Sequence, residues 1–254
     1  MEKESASGTK LQILNRDVIK YIAMFTMLLN HIAHTLLPFG TPLYEIFEDI
    51  GYFTAPVMCY FMVEGYEYTR SKMKYGLRLF LFAVISQVPY TMAFHFGNLN
   101  MIYTLFCCFM ILVVMEKVQN VWLRAGLCTM LLLVTVVGDW ALLAAFLTIL
   151  FHNSRGNRKK TIFSFGVAYV IFALLNVQSY MRGVQGNWTL YAVAHAMLAG
   201  LGIIAAGVAV LVLYNGRRAE KGRNFSKWFF YLFYPAHLLI LALMKMYLES
   251  AGVM

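Results

Sequence analysis

The strongest constraint on this chain is its division into apolar blocks about 20 residues long, separated by short segments that hold nearly all of its cations. A helix rises about 1.5 Å per residue, so about 20 residues cross a hydrocarbon layer about 30 Å thick. Blocks at 18–37, 50–69, 77–96, 101–116, 121–137, 139–153, 161–178, 190–213 and 228–248 therefore predict an all-α, polytopic membrane bundle with about nine transmembrane helices. Charged residues are 13% of the chain against 61% hydrophobic, roughly half the charged share of a soluble domain, which excludes a water-soluble fold. Residues 1–16 read as a polar tail and 17–249 as one transmembrane domain. The first block is too long, and lacks the small-residue exit, for a cleaved signal peptide, so it is expected to stay as the first anchor.

Charge sets the orientation. With the N-terminus in the cytoplasm, 19 of the 21 Lys and Arg fall on inner segments, leaving Arg182 outside and Lys245 near the outer end, while the first outer loop carries Glu45, Glu48 and Asp49. The net charge of +9 thus marks topology and contact with lipid head groups, and no basic stripe interleaved with aromatics points to nucleic acid. Residues 121–153 are long for one crossing and short for two. Parity of Arg124 and Arg155 selects a short hairpin turning at Gly138-Asp139. The four cysteines, Cys59, Cys107, Cys108 and Cys128, lie inside apolar blocks without metal or disulfide spacing and read as packing residues.

Ionisable groups at membrane depth are costly and so are candidates for function. His31 stands eleven residues beyond Lys20, about 16 Å up its helix and near the midplane. His237, ten residues beyond Lys227, and Gln87, nine beyond Arg78, fall at the same level. His34 shares the face of His31, while His95 and His152 lie at helix ends. Glu64 reads either as a ligand or as a helix-end ion pair with Arg70 or Arg78, and Asp139, at the hairpin tip, needs a partner. Pro56, Pro89 and Pro235 interrupt spans, the last two within two residues of Gln87 and His237. The His31–His34 spacing is that of a metal half-site, yet no HExxH-type run accompanies it, so no metal is expected.

Six segments stand out in order: MLLNHIAH at 27–34, APVMCYFMVEGYEYTRSKMKYGLRLFLFAVISQVPY at 55–90, MIYTLF at 101–106, GDWALL at 138–143, YNGRRAEKG at 214–222 and KWFFYLFYPAHLLIL at 227–241. Together they resemble the TraX family of membrane acetyltransferases, named for the protein that acetylates the N-terminus of a conjugative pilin. Lys20 followed after ten residues by His31 is similar to a feature of the wider acyltransferase-three superfamily, whose first-helix histidine is taken as catalytic. The family pattern has Asp before that histidine, where this chain has Asn30.

The resemblance implies a multi-pass protein of the bacterial cytoplasmic membrane that uses acetyl-CoA or another short acyl-CoA as co-substrate. Acyl transfer needs a base for the acceptor proton and donors for the developing oxyanion. His31 is the expected general base, with His237 or Gln87 positioning the acyl carbonyl or the acceptor. Arg70, Lys72, Lys74 and Arg78, with Arg217, Arg218, Lys221 and Arg223, supply cations for the phosphates, and Arg78 and Arg217 stand closest to the family-like segments. Lys20, Glu64, Asp139, Asn215 and Tyr234 complete the candidate substrate-binding set. The acceptor reads as a protein N-terminus, a peptide, a glycan or a lipid. Two rival classes share the same midplane polar groups: a transporter or lipid flippase, and a non-catalytic assembly partner.

Overall fold

The computed structural model describes residues 11–94, 97–183 and 189–252, with the side chains of 179–183, 189 and 191 excepted. The expected cations Lys3 and Lys10, His95 and the side chain of Arg182 lie outside them. Eleven α-helices follow in order: α1 Arg16–Leu36, α2 Pro42–Gly51, α3 Thr54–Tyr68, α4 Lys72–Phe94, α5 Met101–Lys117, α6 Val121–Val134, α7 Leu143–Ser154, α8 Arg158–Gly183, α9 Thr189–Ala199, α10 Leu201–Val208 and α11 Arg223–Ser250. A π-helical turn, Ala209–Leu213, extends α10. Among the described residues, five stretches are long and apolar enough to cross a membrane: Pro42–Tyr68, Lys72–Phe94, Arg158–Gln178, Ala192–Leu213 and Arg223–Ser250. Val121–Val137 and Leu143–Ser154 are apolar but shorter.

The distribution of polarity is that of an integral membrane protein. Leu77, Phe80, Leu81, Val84, Ile85 and Val88 of α4 face outward, whereas Thr26, His31, Ser86, Asn100, Thr104, Thr148 and His237 are buried. Small side chains let the backbones approach: Ala23, Ala33, Ala93, Ala144, Ala145, Ala168 and Ala206 have no exposed surface. Helix α1 packs on α2, α3 and α11, and α4 lies between α5 and α11, so the helices carrying His31 and His237 are neighbours.

Local chemistry explains the boundaries. Asn15, Asn100 and Asn120 each accept a backbone N–H of the following helix through the side-chain oxygen. The segment expected as the first outer loop is helical, because Thr41 caps it and Pro42 occupies a first-turn position where the missing N–H costs nothing. Helix α2 thus carries Glu45, Glu48 and Asp49 against α1, and Gly51 lies so close to α1 that a Cβ there would come within 2.3 Å of the Asn30 Cβ. Pro56 falls in the first turn of α3, where no intrahelical bond is lost; Pro89 and Pro235 stand inside α4 and α11.

The block expected to be helical from 139 begins its helix only at Leu143. Trp140 and Leu142 adopt φ of 55° and 58°, a left-handed backbone that costs about 1–3 kcal/mol per residue. Pairing holds this turn in place: Leu99 N–H donates to the Val137 carbonyl (2.7 Å), Asp139 N–H donates to the Leu99 carbonyl (2.8 Å), and the Thr104 hydroxyl donates to the Asp139 carbonyl (2.7 Å).

Candidate functional site: an imidazole pair beside two joined cavities

His31 on α1 and His237 on α11 meet directly. His31 Nδ1 lies 2.7 Å from His237 Nε2, and the two rings are nearly parallel, 8° apart with centroids 5.0 Å apart. Both side chains are buried. The hydrogen-bond chain fixes the proton positions. His237 Nδ1 lies 2.7 Å from the Phe233 carbonyl, which can only accept, so Nδ1 carries the proton. His237 Nε2 is then an acceptor, and His31 must donate to it from Nδ1. The lone pair of His31 is left on Nε2, which has no partner among the described residues. The dyad therefore presents one basic nitrogen of defined direction.

That nitrogen belongs to a ring lining a cavity of about 120 Å³, shared with Asn30, His34, Tyr52, Asp139 and Trp140. The strained turn at 138–142 thus delivers Asp139 and Trp140 to the histidine's cavity. His34 is held by the Tyr44 hydroxyl (2.7 Å) and by Glu48 (3.4 Å). Asn30, which stands where the family pattern has Asp, donates its amide to the Glu48 carbonyl at 3.2 Å. A carboxylate could not make that bond, so the residue clamps α1 to α2 and does not contact the imidazole pair.

A larger cavity, about 370 Å³, opens at the basic end of the bundle. Met27, Thr54 and Met101 line both cavities and form the waist between them. Arg16, Lys20, Arg78, Arg218 and Lys227 surround the larger one, against a single carboxylate, Asp17. Among the described residues, the Nε atoms of Arg16 and Arg78 are buried without a hydrogen-bond partner, an arrangement that suits an anion. Toward the waist the lining turns apolar and adaptable, with Met24, Met58 and Met62 beside Phe61 and Leu79.

The chain builds this mouth from distant segments. Leu14 N–H donates to the Leu213 carbonyl, Asn215 N–H to the Leu14 carbonyl and Arg16 N–H to the Arg217 carbonyl, each at 2.9 Å. Asp17, itself buried, accepts the Ala219 N–H at 2.8 Å. The loop from 214 to 222 is thereby tied to the start of α1. Outside the membrane-spanning segments, burial and the neighbouring Arg16 lower the pKa of Arg218, the signature of cations crowded at one mouth.

The expected site residues divide sharply. His31, His237 and Tyr234 come together, and Asp139 shares the His31 cavity; Lys20 and Arg78 line the larger one. Gln87, at the same depth, points elsewhere: its oxygen accepts from the Asn100 backbone N–H (3.0 Å) and side chain (2.8 Å) and so braces the start of α5. Glu64 pairs with neither Arg70 nor Arg78, because it accepts from the Tyr214 hydroxyl at 2.8 Å and lies 3.7 Å from Arg16. Arg70 and Arg217 are exposed and do not line the cavity, Arg218 taking the place expected for Arg217. Asn215 shapes its own turn by accepting the Arg217 N–H. Thr54 lies outside every quoted motif and Trp140 lies within the family-like run GDWALL, but neither stood out as a site residue, since a threonine at a span start and a tryptophan in an apolar run have ordinary structural uses. Among the described residues, no group of three or more His, Cys, Asp or Glu is placed to hold a metal.

Fold and site define a helical integral membrane protein with a buried imidazole pair, one ring of which lines a small polar cavity that shares its waist with a larger cationic one. The chain belongs to the TraX family: the model described as "TraX protein" matches residues 15–245. It is also similar to a protein of Dichelobacter nodosus named "Probable fimbrial assembly protein FimC, serogroup H1", with 28% identity over 245 residues, 91% of this chain and 96% of that protein. No solved structure matches the chain.

Proposed function

We propose that this protein is a membrane acyltransferase that moves an acetyl or other short acyl group from cytoplasmic acyl-CoA to an amine or hydroxyl acceptor reached from the membrane or the outer side. The observation that carries the reading is the directed dyad whose His31 lines the smaller of two cavities joined at a common waist. The helices group into nine rods among the described residues, α2 joining α3 and α9 joining α10, and we read these as nine crossings with the N-terminus in the cytoplasm. The larger cavity then opens to the side where acyl-CoA is made. Arg16, Lys20, Arg78, Arg218 and Lys227 suit its phosphates, and the methionine-rich throat suits the pantetheine arm.

In this mechanism His31 Nε2 removes the proton as the acceptor nitrogen or oxygen attacks the thioester carbon. The Nδ1–H to His237 bond keeps the ring in the required tautomer and spreads the charge of the imidazolium that forms. Collapse of the tetrahedral intermediate breaks the C–S bond, and His31 returns the proton to the departing thiolate. The smaller cavity, about 120 Å³, limits the acyl group to a short one. The relative named for fimbrial assembly favours a pilus subunit among the acceptors, with peptide, glycan and lipid as the other classes.

The experiment is label transfer from radiolabelled acetyl-CoA in inside-out membrane vesicles of producing cells, which retain the native acceptor. Mass spectrometry of cells with and without the protein identifies the product. Incorporation that depends on the protein and on His31 supports the reading; equal incorporation without the protein overturns it.

A further inference from the structure

Acyl transfer also needs hydrogen-bond donors aimed at the carbonyl oxygen, and the dyad has none to spare: His31 Nδ1–H and His237 Nδ1–H are both committed. Tyr234 lies one turn before His237 on α11 and meets both imidazoles edge to face, with centroids 6.0 Å from His31 and 5.7 Å from His237. It is 4% exposed and lines the larger cavity. Its oxygen accepts the backbone N–H of Met101 at 3.3 Å, a first-turn donor of α5 that has no helical partner. Among the described residues, nothing accepts the phenol's own proton. A buried hydroxyl that accepts but does not donate is costly unless a ligand completes it, and the bond it accepts polarises it into a better donor.

Thr54 offers a second hydroxyl at the waist. It donates to the Ala23 carbonyl at 2.8 Å, as does Thr26 at 2.9 Å, and the two threonine oxygens lie 2.9 Å apart. Two protons thus serve three contacts, since either threonine can also donate to the other. Thr54 can turn its proton into the cavity while Thr26 keeps Ala23 satisfied.

We propose that the Tyr234 and Thr54 hydroxyls form the oxyanion hole of the transfer, an assignment that rests on the acyltransferase reading above. A thioester entering through the larger cavity brings its carbonyl to the waist, with Tyr234 and Thr54 on the donor's side and His31 facing the acceptor's side. As the acceptor's lone pair forms the new bond to carbon, the carbonyl π pair moves onto oxygen. The two O–H groups bind that oxyanion until the pair returns and the C–S bond breaks. Nothing is oxidised or reduced.

The test compares Tyr234→Phe, Thr54→Val, Thr54→Ser and His31→Gln by label transfer, together with the infrared carbonyl band of bound ¹³C-acetyl-CoA. Tyr234→Phe should lower kcat about 10²-fold and leave KM for acetyl-CoA within about threefold. Thr54→Val should lose about tenfold and Thr54→Ser should recover most of it. In inactive His31→Gln the band stays at the lowered frequency of a hydrogen-bonded carbonyl, and in Tyr234→Phe it moves up. A Tyr234→Phe enzyme with full kcat, or with an unmoved band, overturns the assignment while inactive His31→Gln leaves the acyltransferase reading standing. Full activity in His31→Gln would instead remove the reading on which the assignment rests.

Discussion

Replacing His237 by Ala tests whether the dyad works as a directed pair. In the intact protein the buried His31 Nδ1–H donates to His237 Nε2 over 2.7 Å, which leaves Nε2 as the base. With His237 gone, that N–H loses its acceptor, and an unsatisfied buried donor costs about 1–3 kcal/mol. The ring escapes the cost by moving its proton to Nε2, toward the polar cavity, so the lone pair then faces the wrong way. At about 1.4 kcal/mol per factor of ten, the productive tautomer falls about 5- to 140-fold and kcat falls with it. KM for acetyl-CoA should hold within about twofold, since His237 does not line the cationic cavity. His237→Gln, whose amide oxygen can accept the same N–H, should recover part of the loss. The assay is the initial rate of label transfer against acetyl-CoA concentration, normalised to folded protein. Wild-type kcat in His237→Ala, or a loss confined to KM, would show that the two rings do not act as a directed pair.

Four further outcomes follow from the geometry. Joint replacement of Arg78 and Arg218 by Gln should raise KM for acetyl-CoA by about tenfold or more, each charge-assisted bond being worth about 1.5–3 kcal/mol, whereas Arg217→Gln, outside the cavity, should leave it unchanged. Asn30→Asp removes the amide donor to the Glu48 carbonyl and should lower stability by about 1–3 kcal/mol in thermal unfolding of detergent-solubilised protein; unchanged stability would remove the clamp assigned to it. Gly202→Ala places a Cβ 2.8 Å from the Phe53 nitrogen and 2.9 Å from the Asp49 oxygen, backbone atoms that cannot swing aside. It should destabilise by about 1–3 kcal/mol in the same measurement, while Gly126→Ala, with open space around it, should not. Trp140→Ala enlarges the cavity beside His31 and should let longer acyl-CoA chains serve as donors, read as label transfer from butyryl-CoA relative to acetyl-CoA.

Depth was legible in the sequence and direction around a helix was not. Counting from the basic boundary brought His31, His237 and Gln87 to one level, and two of the three meet. Gln87 does not, because neighbours on a helix turn by about 100° per residue and its face looks toward Asn100. The same blindness set Glu64 beside Arg70 and Arg78, its nearest cations in sequence, when its hydroxyl partner Tyr214 lies 150 residues away. Helix α2 read as a loop because Glu45, Glu48 and Asp49 break its apolar run; tertiary contacts pair Glu48 with His34 and Glu45 with His195. Arg217 and Arg218 are adjacent and chemically identical, and only the folding of the 214–222 loop onto the start of α1 decides which lines the cavity. The left-handed turn at Trp140 and Leu142 left no mark, since neither is a residue that favours positive φ.

The most direct measurement is the transfer of radiolabelled acetyl from acetyl-CoA to membrane-retained product in inside-out vesicles, comparing wild-type protein with His31→Ala and His31→Gln at equal folded amounts. Incorporation by the wild type and a loss of at least about 10²-fold in both variants are expected, the contribution of a positioned general base. Undiminished transfer in both would contradict that role.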